Sequence, residues 1–270
     1  MCLFDVHAHI MHPKIAARAI EQLENHYRIT PVGNGHAEDL LQRMQPAGIN
    51  RAVVHTAATV PAQVVPANNW AMEVKNSYEE LIPFGTIHPG YAKWENELNR
   101  LEKNGIPGIK LHPDFQGIWL DDPGLYPLLE AVQGKFTVMV HVGDDLPPDK
   151  NPSCPRKLAG IMDRFPKLTI IAAHLGGYRQ WGLALEEIVG RDLYLDTSSS
   201  LPFIKPDLLK RIVDGHSRDR FLFGSDYPLF DPAREWKRLN SCPAFSLELI
   251  EHMQKNAERL FDGRGKTKGD

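Results

Sequence analysis

Short apolar runs alternate with amphipathic stretches along most of the chain. Eight runs have the length and the flanking residues of buried β-strands: residues 3–6, 51–57, 81–87, 108–112, 136–142, 168–175, 192–198 and 220–226. Between them, apolar residues recur at helical spacing, as in AEDLLQRMQPAGI (37–49), WENELNRLEKNG (94–105) and IKPDLLKRIVDG (204–215). The pattern predicts a strand followed by a helix, repeated eight times.

Continuously apolar strands separated by helices are typical of a parallel sheet that is covered on both faces. Eight such units are the number that closes a (β/α)8 barrel, so we predict an α/β protein with the TIM-barrel fold; an open doubly wound sheet is the alternative. The first connection, residues 10–50, is longer than one helix needs. We therefore expect a distorted barrel with extra helices in this connection, and the one at 13–27 could fold over the barrel mouth.

The composition is that of an ordinary globular protein. The 270 residues are 42% hydrophobic and 24% charged, and a single α/β barrel runs to about 250 residues. No change in composition marks a second domain. We predict one barrel domain over residues 1–262 and a flexible tail over 263–270, where GRGKTKGD lacks apolar residues.

The charge and the cysteine content limit which classes of partner and which cellular compartment are expected. The net charge of -3 arises from interspersed acids and bases, which offers no footprint for nucleic acid or an anionic membrane. Cys2, Cys154 and Cys242 form no C-x-x-C pair, so neither a disulfide framework nor a thiolate zinc site is indicated. No apolar run approaches the ~18 residues of a membrane span. We expect a cytoplasmic protein that binds a small molecule and could form a homo-oligomer.

The histidines are concentrated at one place in the predicted fold. Seven of the twelve lie at or just inside the carboxyl end of a predicted strand: His7, His9, His55, His88, His112, His141 and His174. In an α/β barrel the active site is built at that end. The other five, for which surface positions are the default prediction, are His12, His26, His36, His216 and His252.

His7 and His9 are two residues apart, so in a strand they point the same way with Cα atoms about 6.6 Å apart and can reach one cation. His141 and His174 end the fifth and sixth predicted strands, and Asp226 ends the eighth. Neutral imidazoles with a carboxylate suit a divalent cation such as zinc, with manganese, iron or cobalt as alternatives. We therefore predict a metal site at these strand ends.

Some polar residues in the strands are less informative. A single histidine at a strand end is more often structural than a metal ligand, so His55 and His88 are assigned no role, whereas His112 could line the pocket or stack beneath it. Lys110 and His112 share parity and can both face the barrel interior. In the first strand we predict that Phe4, Val6 and Ala8 pack outward against helices. Asp5 shares parity with His7 and His9, and it either orients a neighbouring group or is a structural acid.

Five motifs together resemble a known family. DVHAH, GIKLHP, VMVHVG, IIAAHLGG and FLFGSDYP, in this order between residues 3 and about 262, resemble the amidohydrolase superfamily. They are most similar to its amidohydrolase-related branch (amidohydrolase 2), which includes aminocarboxymuconate-semialdehyde and γ-resorcylate decarboxylases and pyrone-dicarboxylate lactonases. The resemblance implies that His7, His9, His141 and Asp226 bind a catalytic divalent metal, and that His174 lies beside the activated water or helps to hold a second metal.

Lys110 decides between one metal and two. In binuclear members of the superfamily, a lysine in the fourth strand is carboxylated and bridges two ions. Alternatively, the ammonium of Lys110 binds a substrate carboxylate or pairs with an acid such as Asp226. Because GIKLHP is more similar to the mononuclear branch, we predict a single metal ion, with zinc as the first choice.

These residues predict a metal-dependent hydrolase that activates water for attack on the carbonyl of a small amide, ester or lactone. Asp226 or His174 would move the proton, and His174 could instead stabilise the oxyanion. Substrate contacts are expected from polar residues at or after strand ends: Lys110, His112, Gln116, Arg179, Ser198 and Ser199.

Two other functions are alternatives to hydrolysis. The first alternative is a metal-dependent, non-oxidative decarboxylase of a small unsaturated or aromatic carboxylic acid, which uses the same ligand set. The second is a barrel that binds a ligand or metal without turnover, and the presence of both His174 and Asp226 argues against it.

Overall fold

The structure, a computed structural model, describes residues 2–261, so the predicted tail at 263–270 lies outside the described residues. The described strands are β1 (Phe4–His9), β2 (Arg51–His55), β3 (Leu81–Pro83), β4 (Gly85–Thr86), β5 (Gly108–Leu111), β6 (Thr137–Val140), β7 (Thr169–Ala172), β8 (Tyr194–Asp196) and β9 (Phe221–Leu222). Each corresponds to one apolar run, except that the third run is divided into β3 and β4.

The helices of the same range fill the connections between strands. They are α1 (Ala16–Tyr27), α2 (Ala37–Met44), α3 (Val64–Ser77), α4 (Trp94–Lys103), α5 (Pro113–Gln116), α6 (Tyr126–Val132), α7 (Pro155–Arg164), α8 (Trp181–Glu187), α9 (Pro206–Gly215), α10 (Pro232–Asn240) and α11 (Leu247–Phe261). The two helices α1 and α2 both lie in the first connection, so the prediction of extra helices there is confirmed.

The strands run parallel and in sequence order, first β1 to β3 and then β4 to β9. Backbone hydrogen bonds join the two groups: Phe84 donates to the carbonyl of Val54 at 2.8 Å. On the other side, Val6 donates to Phe223 at 2.8 Å and Asp226 donates to His7 at 2.8 Å. These contacts bring β1 beside the segment after β9, and the predicted TIM barrel is confirmed.

Apolar side chains form two layers. The larger one packs the outer face of the strands against the helices, whereas a smaller cluster brings together residues of most strands with Leu260 of α11. Phe4 and Val6 belong to this inner cluster, so their predicted outward packing is wrong; Ala8 lies in the outer layer as predicted. The reason is a shift of register in β1 between Asp5 and Ala8, which changes the alternation before the first histidine.

Asp5 lies at this irregularity and holds it in place. Its Oδ1 accepts the backbone N–H of His7 at 3.1 Å and that of Ser225 at 3.0 Å. Asp5 is fully buried, so these two bonds tie the bulged strand to the loop after β9. Of the two interpretations of Asp5, these contacts with backbone N–H groups favour the structural acid.

The prediction for the five remaining histidines is wrong for His216, which is buried. Its Nδ1 accepts from the backbone N–H of Gly190 at 3.1 Å and its Nε2 donates to the carbonyl of Leu193 at 3.0 Å. Both ring nitrogens therefore serve local backbone groups. The other four are partly or fully exposed. None of the helices in residues 2–261 is long and apolar enough to cross a membrane.

Candidate metal centre and substrate cavity

The ends of β1 and of the segment after β9 bring three ligand atoms together. Nε2 of His7 and Nε2 of His9 are 3.2 Å apart, and Oδ1 of Asp226 lies 3.4 Å and 3.2 Å from them. Adjacent ligands that bind a cation at ~2.1 Å are separated by ~3.0–3.4 Å in octahedral or tetrahedral geometry. The three atoms are therefore spaced as ligands of one ion.

The remote nitrogens of both rings have hydrogen-bond partners, and the partner of His7 fixes its tautomer. Nδ1 of His7 lies 2.9 Å from Oδ2 of Asp196, a carboxylate oxygen that can only accept a hydrogen bond, and Nδ1 of His9 lies 3.3 Å from Nδ1 of His55. With the proton on Nδ1, the Nε2 lone pair of His7 faces Asp226. His55, to which no role was assigned, contacts the remote nitrogen of His9 and orients its ring.

His141 and His174 form a second pair of ring nitrogens on the same rim. Nε2 of His141 donates to the carbonyl of Gly143 at 2.9 Å, and Nδ1 of His174 donates to the carbonyl of Ser198 at 3.0 Å. The remaining nitrogens, Nδ1 of His141 and Nε2 of His174, consequently face each other through their lone pairs at 3.0 Å. Two lone pairs at this distance repel unless a cation or a shared proton lies between them.

Burial sets the charge of these groups. It lowers the pKa of His7 to about 4, and it lowers the pKa of His9 and that of His141 below the ordinary value, so the imidazoles are neutral at pH 7. Burial opposes ionisation of Asp226, but the surrounding imidazoles of His7, His174 and His9 outweigh it and hold the pKa of this carboxyl well below its usual range. Neutral imidazoles and an ionised carboxylate are the protonation states that metal binding requires.

These observations fit a divalent cation. Three groups of potential ligands have their ligand atoms within 4.8 Å of one another: His7, His9 and His55; His7, His174 and Asp196; and His112, Asp114 and His141. Asp196 is in a supporting position because it accepts from the protonated nitrogen of His7, and His55 contacts Nδ1 of His9 rather than the Nε2 that lies beside Asp226. The ligand set is therefore centred on His7 and His9 with Asp226.

Lys110 lies beneath this centre and faces the barrel interior. Its side chain is fully buried, and Nζ is 3.4 Å from Nε2 of His7. Burial lowers the pKa of Lys110 to about 8, although Asp226 and Asp196 act in the opposite direction. The amine is near enough to the centre for any of its predicted roles: a carboxylated bridge, an ammonium that binds a substrate carboxylate, or a partner of an acid such as Asp226.

A cavity of about 440 Å³ opens above the centre, with His9, His141, His174 and Asp226 in its floor. Its walls are largely apolar and aromatic, and they include Met11, Ile15, Leu23, Trp70, Phe115 and Leu229. Helix α1 contributes Ala19, Gln22, Leu23 and Tyr27 to the cavity wall, so the extra helix does cover the barrel mouth. The shape and chemistry suit a small ligand with an apolar body.

Of the residues predicted to contact substrate, His112 lines the cavity. Its ring is stacked between Phe115 and His141, with centroids 4.2 Å and 4.0 Å away. Gln116 is not positioned for the contact predicted for it. Its side-chain oxygen accepts the N–H of His112 at 2.8 Å, and its amide nitrogen donates to the carbonyls of Ala58 and Ile87. Both ends of the Gln116 amide therefore bond to backbone groups of the surrounding loops.

The remaining predicted contacts also lie off the main cavity. The hydroxyl of Ser198 donates to Asp196, and the hydroxyl of Ser199 donates to Oδ2 of Asp226, so both serines support the ligand set. Arg179 is exposed, and its guanidinium lies over the ring of Phe203 at 4.1 Å from the centroid. Their predicted role in substrate binding is not supported by these positions.

Two site residues were absent from the predictions. Asp196 ends β8 and holds His7; burial raises its pKa, but His7 and His174 outweigh burial and lower it to about 2. The sequence contained a signal for Asp196, because this acid lies near the end of the seventh predicted strand, just as Asp226 lies at the end of the eighth. Tyr27 lines the cavity from the last position of α1, and no strand-end pattern could have located it.

The fold and the ligand set define a class of metal-dependent barrel enzymes, and the chain belongs to the amidohydrolase family: residues 4–263 match the model of the family described as amidohydrolase. The match begins at β1 and continues beyond the described residues. It therefore includes all the strand ends that carry the centre.

Solved structures agree on the fold. An uncharacterized TIM-barrel protein, Bb4693 from Bordetella bronchiseptica, has a TM-score of 0.77 and 20% identity over 98% of this chain and 100% of that chain. A dihydroxybenzoic acid decarboxylase from Polaromonas sp. JS666, with bound manganese and the inhibitor 2-nitroresorcinol, has a TM-score of 0.73 and 16% identity over 97% of both chains. The 4-oxalomesaconate hydratase from Rhodopseudomonas palustris has a TM-score of 0.68 and 19% identity over 98% of this chain and 99% of that one.

Proposed function

We propose that the protein is a metal-dependent hydrolase of a small amide, ester or lactone with an apolar body. One divalent cation, zinc in the first instance, would be held by His7, His9, His141 and Asp226. The observation that carries the proposal is the convergence of neutral nitrogen lone pairs and one ionised carboxylate on the floor of an apolar cavity. The cation would supply Lewis-acid activation of water and of a carbonyl oxygen.

Asp226 is suited to move the proton. Its Oδ1 faces His7 and His9, whereas Oδ2 accepts the hydroxyl of Ser199 and lies 4.0 Å from Nδ1 of His174. The second oxygen can therefore accept a proton while the first stays with the ligand set. Oδ2 would then return this proton to the leaving group of the substrate as the bond to the carbonyl carbon breaks.

His174 is suited to orient the reacting groups. Its Nδ1 donates to the carbonyl of Ser198, and in this tautomer the lone pair of Nε2 faces Nδ1 of His141. A nitrogen in this state accepts a hydrogen bond from water and positions it at the cavity floor. The apolar walls exclude bulk water from that floor.

Decarboxylation is the second candidate, and a specific observation favours it. The aromatic cavity walls formed by Tyr27, Trp70 and Phe115 suit a planar ring. The structural neighbour from Polaromonas is a dihydroxybenzoic acid decarboxylase with an aromatic inhibitor. In this reaction the floor would bind the carboxylate of an aromatic or unsaturated acid, and a protonated group would deliver a proton to the ring carbon.

A substrate panel separates the two reactions. Lactones, aryl esters, amides and hydroxybenzoic acids are incubated with protein loaded with zinc or manganese, and acid release and carbon dioxide release are recorded together. Acid release alone from a lactone, ester or amide supports the hydrolase, and carbon dioxide from an acid supports the decarboxylase. The metal-stripped protein and the Asp226→Asn variant are the controls. A protein that binds no zinc or manganese at all would contradict both candidates.

A further inference from the structure

Tyr27 brings a hydroxyl group to the cavity that holds the metal centre. It is the last residue of α1, and its ring centroid lies 6.3 Å from that of His141 and 5.8 Å from that of Tyr178. Tyr27 lines the cavity together with His141, His174 and Asp226. The helix that covers the barrel mouth thus supplies one of the polar groups of a wall that is largely apolar.

The hydrogen-bond partners of His112 determine the direction of the bond to Tyr27. Nδ1 of His112 accepts from the backbone N–H of Phe115 at 3.4 Å, and a backbone N–H can only donate. An imidazole whose Nδ1 accepts a hydrogen bond carries its proton on Nε2. Nε2 lies 3.1 Å from Oη of Tyr27, so the histidine donates and the tyrosine oxygen accepts.

The hydroxyl hydrogen of Tyr27 is consequently left without an acceptor. No second hydrogen-bond partner of Oη is found among residues 2–261, and Tyr27 lines the cavity. Burial raises the pKa of Tyr27 well above its ordinary value, so the hydroxyl keeps its proton at any physiological pH. Tyr27 is half-buried, so a ligand that displaces water from the cavity leaves this donor unpaired, at a cost in free energy, unless the ligand accepts the hydrogen bond.

We propose that the Tyr27 hydroxyl donates a hydrogen bond to an oxygen of the substrate, at the carbonyl or carboxylate group that faces the metal centre. The inference rests on the proposed function in that it requires an oxygen-bearing ligand in this cavity. It makes Tyr27 a catalytic residue supplied by α1, and His112 a positioning residue that turns the hydroxyl toward the ligand.

The donor is held rigidly, as such a role requires. His26, the preceding residue of α1, lies 3.2 Å from Oδ2 of Asp144 in the loop after β6. The ring of Phe115 packs against His26 at 4.8 Å and against Tyr27 at 5.9 Å. The end of α1 is thus attached to α5 and to the loop after β6, and a donor fixed in advance gains more affinity than a mobile one.

Binding of benzoate to the zinc-loaded protein tests the inference, with toluene as the same ring without oxygen atoms. Tyr27→Phe should weaken benzoate binding about tenfold in calorimetry, leave toluene binding unchanged and retain the full zinc content. Tyr178→Phe is the matched control, because Tyr178 is a neighbouring ring outside the main cavity wall. This control should bind benzoate like the wild type.

The outcomes separate the inference from the proposed function. Equal benzoate affinities in wild type and Tyr27→Phe, including no binding to either, would overturn the inference. So would a nitrogen-15 spectrum that puts the His112 proton on Nδ1. Weaker benzoate binding in Tyr27→Phe supports the inference even if the wild type hydrolyses nothing in the panel, in which case only the proposed function fails. Where turnover is found, Tyr27→Phe should lower kcat/KM about 10- to 100-fold.

Discussion

Replacing Asp196 by asparagine should weaken zinc binding without unfolding the protein. Oδ2 of Asp196 accepts from Nδ1 of His7 at 2.9 Å, and Oδ1 accepts the backbone N–H of His174 at 3.2 Å and that of Ser198 at 3.0 Å. An asparagine has one oxygen for these donors. If its nitrogen faces His7, that ring must carry its proton on Nε2, the atom that faces Asp226; in the other orientation, two backbone N–H groups lose their acceptor.

The structure indicates the size of the effect. Loss of a carboxylate that orients a metal-binding histidine lowers metal affinity about 10- to 100-fold. Burial alone would raise the pKa of Asp196, but His7 outweighs it and lowers the pKa from 3.8 to about 2. The ionised carboxylate therefore contributes about 2 kcal/mol to the free energy of unfolding. Because the pKa is depressed in the folded state, this contribution is complete above the unfolded value and is lost as pH falls toward the folded one.

Zinc competition against a fluorescent chelator and urea denaturation of the zinc-free protein measure the two effects. The matched control is Asp192→Asn, since Asp192 is exposed and pairs with Arg220 at 2.7 Å. The control should keep its zinc affinity and change the free energy of unfolding by less than about 1 kcal/mol. Equal zinc affinities in Asp196→Asn and Asp192→Asn would show that the tautomer of His7 does not depend on Asp196, and would refute the reasoning.

Three further substitutions test other parts of the structure. Asp226→Asn should remove bound zinc and all turnover while the circular dichroism spectrum is retained; zinc still found by metal analysis would exclude Asp226 from the centre. Burial lowers the pKa of His216, so stability should fall as pH drops below about 6.5, and His216→Gln should flatten this dependence in urea titrations by up to about 1.4 kcal/mol per pH unit. An equally steep dependence in the variant would contradict that assignment. Gly143→Ala should destabilise by about 1–3 kcal/mol, because Gly143 has φ +84° and an added Cβ would overlap the carbonyl of Tyr178. Gly160→Ala, with open space around the added carbon, should not lower the melting temperature, and a similar loss in both variants would refute the argument.

The strand ends were predictable because alternation in a regular parallel strand is a local property. Lys110 faces inward, as its two-residue spacing from His112 allowed, and His7 and His9 share the side on which Asp226 lies. The inner position of Val6 was not predictable, since the irregularity in β1 depends on how this strand pairs with β2. Local alternation contains no information about the register of a partner strand.

Polar residues near the strand ends were harder to interpret. Gln116 and Ser199 were both expected to contact substrate, but one holds loop carbonyls and the other donates to Asp226. A polar residue in a loop can serve the ligand or the backbone, and the choice depends on contacts that are distant in sequence. The same holds for Tyr27 and Trp70, which reach the cavity from helices whose placement over the barrel is set by tertiary packing.

Lys110 shows that the centre is built at the expense of stability. Burial lowers the pKa of its ammonium from 10.5 to about 8, so the charge costs about 3 kcal/mol below pH 8, and this cost fades as pH rises toward 10.5. Lys110→Met should therefore stabilise the zinc-free protein in urea at pH 7 and lose this gain near pH 10.5. Lys135→Met, at an exposed lysine paired with Glu102, should leave stability nearly unchanged. A variant no more stable than the wild type at pH 7 would mean that Asp226 and Asp196 already compensate the charge. A gain would mean that the lysine is retained against its cost, as expected of a group that binds an anionic substrate or reacts with carbon dioxide.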